Sequence, residues 1–225
     1  MPRVSQQYKD ERRREIVAAA SGCFLEHGFG GASMHRIIAA TGLSAGALYN
    51  HFPSKHELVV ASARAALDRV LAVDEDAAPA VDEDAARAAA GEAAGRSAEA
   101  TGGRPAPEVP GADPAGWVAE LLERLAADPA ATRLLLITWG EAVSEPALAA
   151  VAGEHLAQVR ARVEERYGRW AAEELGLGPD RSREWVAMFA QAILSVLQGY
   201  VVQSCLLPGF DHDAYLDYAR TLAAQ

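Results

Sequence analysis

Lysine and cysteine are both scarce in this chain, with two of each among 225 residues. Cys23 and Cys205 stand far apart in apolar stretches. They form neither a disulfide framework nor a metal-ligand spacing, which suits a reducing compartment. Aromatic residues make up only 7%, so the apolar half of the sequence is mostly Ala, Leu and Val. Alanine on that scale favours helix. The opening "MPRVSQQYKDERRR" lacks the apolar segment of a signal peptide, and no apolar run of about 18 residues is evident. The expectation is a soluble, cytoplasmic protein. Catalytic signatures are missing too. There is no glycine-rich phosphate loop, "HELVV" at His56 lacks the second histidine of a zinc-protease helix, and Cys205 has no basic neighbour in sequence. "DHD" at Asp211–Asp213 reads as a helix cap followed by a first-turn acid rather than a metal site. Neither an enzyme nor a cofactor is expected.

Charge is unevenly spread. Residues 1–58 carry seven basic and five acidic side chains, and both lysines, Lys9 and Lys55, fall there. The rest carries fourteen basic and twenty-six acidic side chains. A mildly basic head on an acidic body fits a local nucleic-acid contact whose remainder is held away from phosphates.

The helices announce themselves by period and punctuation. Ile16, Ala20 and Phe24 share one face of a helix over about 10–27, and Gly28 stands where a left-handed cap belongs. Ser33 caps a second helix bearing Met34, Ile37, Ile38 and Thr41, and Gly42 ends it. Ser44 caps a third, short helix, with Leu43 and Leu48 placed as a hydrophobic staple. Pro53 stops it, and Ser54 with Glu57 starts a fourth through about Ala72. Two short helices across a tight glycine turn make a helix-turn-helix.

Residues 73–112 are rich in Ala, Gly, Pro and acid, and read as a mobile insertion. Helical pattern resumes at "DPAGW" and "DPAATRLLLITWGEAV", each with Asp before Pro. A long helix follows with Leu148, Ala152, Leu156, Val159, Val163, Tyr167 and Trp170 in register. The next, over about 182–206, has two apolar faces: Trp185, Phe189, Ile193, Val196 and Tyr200 on one, Ala190, Leu194, Leu197 and Val201 on the other. Such a helix is expected to be buried twice, once in its own core and once elsewhere. No strand is required, and the fold class is all-α.

For reading DNA, a helix enters the major groove with short side chains where backbone meets backbone. Ala45, Gly46 and Ala47 provide that clearance, and Tyr49, Asn50 and His51 bring donors to phosphates or base edges. Lys55 and His56 occupy a helix's first turn, where the macrodipole disfavours cations unless an anion also docks. An ordinary three-helix core with a polar exterior would share the caps and staple. The small-small-small run followed by Tyr and a basic turn favours DNA.

The stretch "REIVAAASGCFLEHGFGGASMHRIIAATGLSAGALYNHFPSKHELV", about Glu15 to Val60, resembles the N-terminal domain of tetracycline-repressor (TetR) family regulators. The matching parts are the "HGF" turn, Ser33 at the second cap, "TGLS", "G-A-L-Y" and "HFPSKHEL". The resemblance covers about a fifth of the chain. It implies DNA contacts at Ser33, Ser44, Ala45, Gly46, Ala47, Tyr49, Asn50, His51 and Lys55. His35 and Arg36 depart from the acidic residue common there, and Ala45 replaces a frequent basic residue, which leaves the operator sequence open.

The resemblance also implies a helix-turn-helix domain at 1–60 and an all-helical effector-binding and dimerisation domain at 61–225. On that analogy the last two long helices meet their twofold mates, with Leu194, Leu197, Gly199 and Val201 at the interface. Trp139, Glu141, Met188 and Gln191, polar or soft groups among bulky apolar ones, are the effector-pocket candidates. The expected partners are double-stranded operator DNA, a second copy of the chain and a small apolar or amphipathic effector. An architectural DNA binder without effector control, and an interaction or enzyme module with a relic head, stay open as alternatives.

Overall fold

The computed structural model describes residues 6–71, 114–173 and 175–223, and all regular structure among them is helical. The expected insertion at 73–112 and the Asp113 cap lie outside the described residues. In chain order the helices are α1 (Gln6–Gly31), α2 (Met34–Thr41), α3 (Ala45–His51), α4 (Lys55–Leu71), α5 (Pro114–Ala127), α6 (Pro129–Ala142), α7 (Pro146–Glu173), α8 (Pro179–Leu206) and α9 (His212–Ala223).

Capping places most of these boundaries. Gly28 interrupts α1 at φ 69° and ψ 168°, a conformation L side chains rarely adopt, so the long first helix breaks where its cap was expected. Ser33 accepts from the Arg36 amide, and Gly42 at φ 65° closes α2. Asp128 Oδ1 accepts the Ala131 amide at 2.8 Å to open α6, and Asp211 Oδ1 accepts the Ala214 amide at 3.0 Å to open α9. Asp211 is therefore a cap, as its sequence position suggested.

The head and the body share one core. Ile16, Phe24, Ile37, Leu48, Phe52 and Leu58 are buried in the head, and the same apolar cluster continues through Leu67, Leu121, Leu134, Val163 and Ile193. α4 and α1 make the connection: α4 packs on α1 and also on α5, α6 and α7, and α1 packs on α6 as well. The division expected at residue 60 falls inside this single uninterrupted helix.

α8 departs from expectation. It is long and apolar enough, by length and composition alone, to cross a membrane, because no charge interrupts Trp185 to Leu206. In the structure both apolar faces are spent within the chain. Ala190, Ile193, Leu194, Leu197, Tyr200 and Val201 are buried, and Trp185, Phe189 and Val196 are half-buried against the core. Residues of both faces thus have neighbours within the chain. α8 instead exposes a third, narrower stripe containing Met188, Gln191, Ser195 and Val202.

Candidate nucleic-acid interface and effector pocket

The recognition unit is built around one buried pair, Leu48 and Phe52. A seven-residue helix is too short to persist alone, and α3 is held by its surroundings. Ser44 Oγ accepts the Ala47 amide at 3.2 Å at its start. At its end the Phe52 amide donates to the Leu48 carbonyl at 2.9 Å, while Arg13 of α1 donates to the His51 carbonyl. The Arg13 guanidinium also lies over the Phe52 ring, 4.1 Å from its centroid, so one cation caps and stacks on the end of α3. Leu43 and Leu48 both join the core, in line with the staple.

With Leu48 turned inward, α3 presents Ser44, Ala45, Gly46, Tyr49 and Asn50 outward, and Ser33 is exposed nearby in sequence at the start of α2. Tyr49 keeps 44% of its surface exposed. Ala47 and His51 are half-buried at the edges of this face. A Cβ on Gly46 would meet nothing within 4 Å, so the fold itself does not require glycine there. Gly22 and Gly153 are equally open. What distinguishes Gly46 is its place between two alanines, beside an exposed tyrosine and asparagine.

Lys55 behaves differently from expectation. Its ammonium donates to the Gly30 carbonyl at 3.1 Å and its side chain is half-buried. A cation in the first turn of α4 is thus matched by the carbonyl end of α1, with no docked anion required. His56 lies 4.0 Å from Glu145. Arg12 pairs with Glu15 at 2.6 Å; the Tyr8 hydroxyl and then Glu15 raise its proton affinity further.

In the body, the structure places the candidate residues differently from expectation. Met188, 68% exposed, and Gln191 face outward on α8, and Glu141 is exposed on α6. Leu194, Leu197 and Val201, expected at a dimer interface, instead line an internal void of about 10 Å³ with Trp139, Leu156 and Gln198. Trp139 alone of the four pocket candidates stays at a pocket. Its indole Nε1 is buried without an acceptor among the described residues. Gly199 has a close neighbour within the chain: a Cβ there would come within 2.7 Å of the Tyr215 hydroxyl, which donates to the Val196 carbonyl at 2.7 Å. The glycine admits α9 onto α8.

A second, open cleft of about 450 Å³ runs between α5, α8 and α9, past Val118, Phe189, Val196, Gln203, Tyr215 and Tyr218. None of the four candidates lines it. Sequence reasoning missed these residues because the cleft depends on how α9 folds back, and Tyr215 and Tyr218 carry no pattern that says so. Burial pushes the Tyr215 phenol above its ordinary range, with Tyr218 adding to the shift. Among the described residues, no group of three or more His, Cys, Asp or Glu side chains is placed to hold a metal.

Comparison with known proteins agrees with this geometry. The family described as "Bacterial regulatory proteins, tetR family" matches residues 16–61, which run from α1 into α4. The HTH-type transcriptional repressor Rv1474c of Mycobacterium tuberculosis is 41% identical over 73 residues, 32% of this chain and 39% of that protein. The transcriptional activator FasR of Mycolicibacterium smegmatis is 38% identical over 64 residues, 28% of this chain and 29% of that one. The matched segments thus span about two fifths or less of these relatives' length. Solved structures align along nearly the whole chain. A transcriptional regulator of Pseudomonas aeruginosa gives a TM-score of 0.63 at 23% identity, covering 96% of this chain and 91% of that one. The multidrug binding protein EbrR complexed with imidazole gives 0.54 at 24%, covering 95% and 93%. At such identities the structural likeness speaks for the fold, and the sequence match for the head. Residues 16–61 thus match the TetR family of bacterial regulatory proteins, and the rest of the chain shares the fold of solved transcriptional regulators.

Proposed function

We propose that the protein is a transcriptional repressor that binds a pseudo-palindromic operator as a homodimer in the cytoplasm and releases it on binding a small effector. The observation that carries the reading is the outward face of α3. Ala45 and Gly46 leave the backbone bare, Tyr49 and Asn50 stand beside them, and the remainder of the helix is anchored from within. Two such helices meeting successive major grooves sit about 34–36 Å apart. Lys55 retains two ammonium hydrogens beyond the one it gives Gly30, enough to hold a phosphate as well.

The dimer contact falls to the outer stripe of α8, with Met188 and Gln191, since the inner faces are occupied. The effector site forms by opening the void at Trp139. Its apolar lining calls for an apolar molecule, and opening the void would be needed to bring the buried Trp139 indole N–H to a hydrogen-bond acceptor on it. EbrR, of similar fold, is named for multidrug binding. Such an effector and the operator oppose each other if each prefers a different placement of the heads.

The test is a footprint and titration on the DNA flanking the gene, repeated with Gly46→Leu. The variant should fold as well as the parent, because its side chain enters open space, yet lose operator binding. Retained operator binding in Gly46→Leu would sink the docking scheme.

A further inference from the structure

His155 lies on α7, a helix whose apolar register runs through Leu148, Ala152, Leu156 and Val159. Position 155 falls within that stripe, three residues after Ala152 and four before Val159, so a polar ring is buried there at 3% exposure. Both ring nitrogens are engaged. Nδ1 faces the Val151 carbonyl at 3.0 Å, one turn back on the same helix. Nε2 faces Asp68 Oδ1 of α4 at 2.8 Å. The ring thus spans from its own helix to α4, with one nitrogen on each side. The ring's orientation is fixed by its own helix, and its free end is aimed at α4. One residue earlier, Glu154 accepts from Arg64 of α4 at 2.8 Å, but both of those side chains are about half exposed. An exposed pair of that kind contributes little. His155 is buried in the seam while the Asp68 side chain stays 63% exposed, so the direction of this contact is set by the ring, which its own helix holds in place.

We propose that His155 is a positioning residue, locking α4 through Asp68 at the angle that sets the recognition unit against the body. α4 begins at Lys55, just after Phe52 ends α3, and it packs on α1 at the head and on α5, α6 and α7 in the body. Apolar packing along α4, through Leu58, Ala63, Ala66, Leu67 and Val70, has no preferred hydrogen-bond direction; the Asp68–His155 contact adds one, because a displacement of about 1 Å breaks it. Removing it frees α4 to sample other angles. Ordering those angles again on DNA costs operator affinity, while contacts with any duplex through the head remain.

This rests on the reading of the head as an operator-binding domain, so the experiment has arms with and without DNA. Asp68→Asn, His155→Gln and the double variant are prepared in the full chain. Each single change should weaken operator binding by about five- to tenfold, with affinity for unrelated duplex within about twofold of the parent. The double variant should be no weaker than the worse single one, since both remove one contact. Without DNA, amide exchange along α4 should quicken in both singles. Losses that multiply in the double variant, or unchanged operator affinity in both singles, would overturn the proposal. If the parent binds no operator, the reading of the head has failed instead. The lock is then judged by α4 exchange alone, and unchanged exchange overturns it.

Discussion

Gly199→Ala isolates a single contact whose energetic sign can be worked out beforehand. In an exposed helix this exchange is favourable by about 1 kcal/mol, because alanine surrenders less backbone entropy. At 199 the new methyl would sit 2.7 Å from the Tyr215 hydroxyl, closer than real Cβ contacts allow, while the ring carbon behind it, at 3.9 Å, is at ordinary distance. The hydroxyl must move, and moving it breaks the 2.7 Å bond to the Val196 carbonyl. That bond's loss costs about 0.5–1.5 kcal/mol, and displacing a packed ring adds about 1–3 kcal/mol. The clash outweighs the helix gain, and the variant should be destabilised by about 1–2 kcal/mol in urea denaturation. Tyr215→Phe removes the offending atom. In that background Gly199→Ala should stabilise by up to about 1 kcal/mol, reversing sign, with a coupling of about 2 kcal/mol between the sites. Stabilisation by Gly199→Ala in the parent background would refute the contact and restore a role for Gly199 outside the protomer.

Lys55→Ala should lower stability by about 0.5–1.5 kcal/mol through the lost Gly30 contact, and also reduce the salt slope of DNA binding by about 1; unchanged melting would contradict the tie to α1. Leu194→Ala should cost about 2–5 kcal/mol of protomer stability, as a buried side chain beside a void. Met188→Glu on the exposed stripe should leave helix content intact and shift sedimentation toward monomer, and an unchanged dimer would move the interface elsewhere. Burial pushes the Cys205 thiol above its ordinary range, outweighing the Ser204 bond and the nearby Arg133 cation. Folding therefore favours the neutral thiol, so its stabilising contribution is present at low pH and fades as pH rises through the folded-state value. Iodoacetamide should modify Cys205 with a midpoint at higher pH in the folded chain than in urea, and coincident midpoints would deny that burial.

The head was legible because its information is local. Ser33, Ser44, Ser54, Gly28 and Gly42 act on amides and dihedrals within four residues of themselves, and each appears where its spacing said. The bare patch at Ala45 and Gly46 was legible for the same reason: a short helix with one buried residue leaves little choice about what faces out. The body resisted. Two apolar faces on α8 do not say which neighbours cover them, and the choice between a second molecule and α5, α6, α7 and α9 is made by packing. Hence Leu194, Leu197 and Val201 went inward while Met188 and Gln191 went outward.

What the sequence determined by itself, then, is an all-helical chain with a helix-turn-helix head, because period, caps and small residues act through the chain's own near neighbours. Tertiary structure alone decided that Gly199 serves Tyr215, that Lys55 closes α1, and that His155 meets Asp68 across 87 positions. No short-range pattern encodes such pairs. They exist only where separate helices are brought within hydrogen-bond distance, and a change of helix rotation by one residue would dissolve each of them.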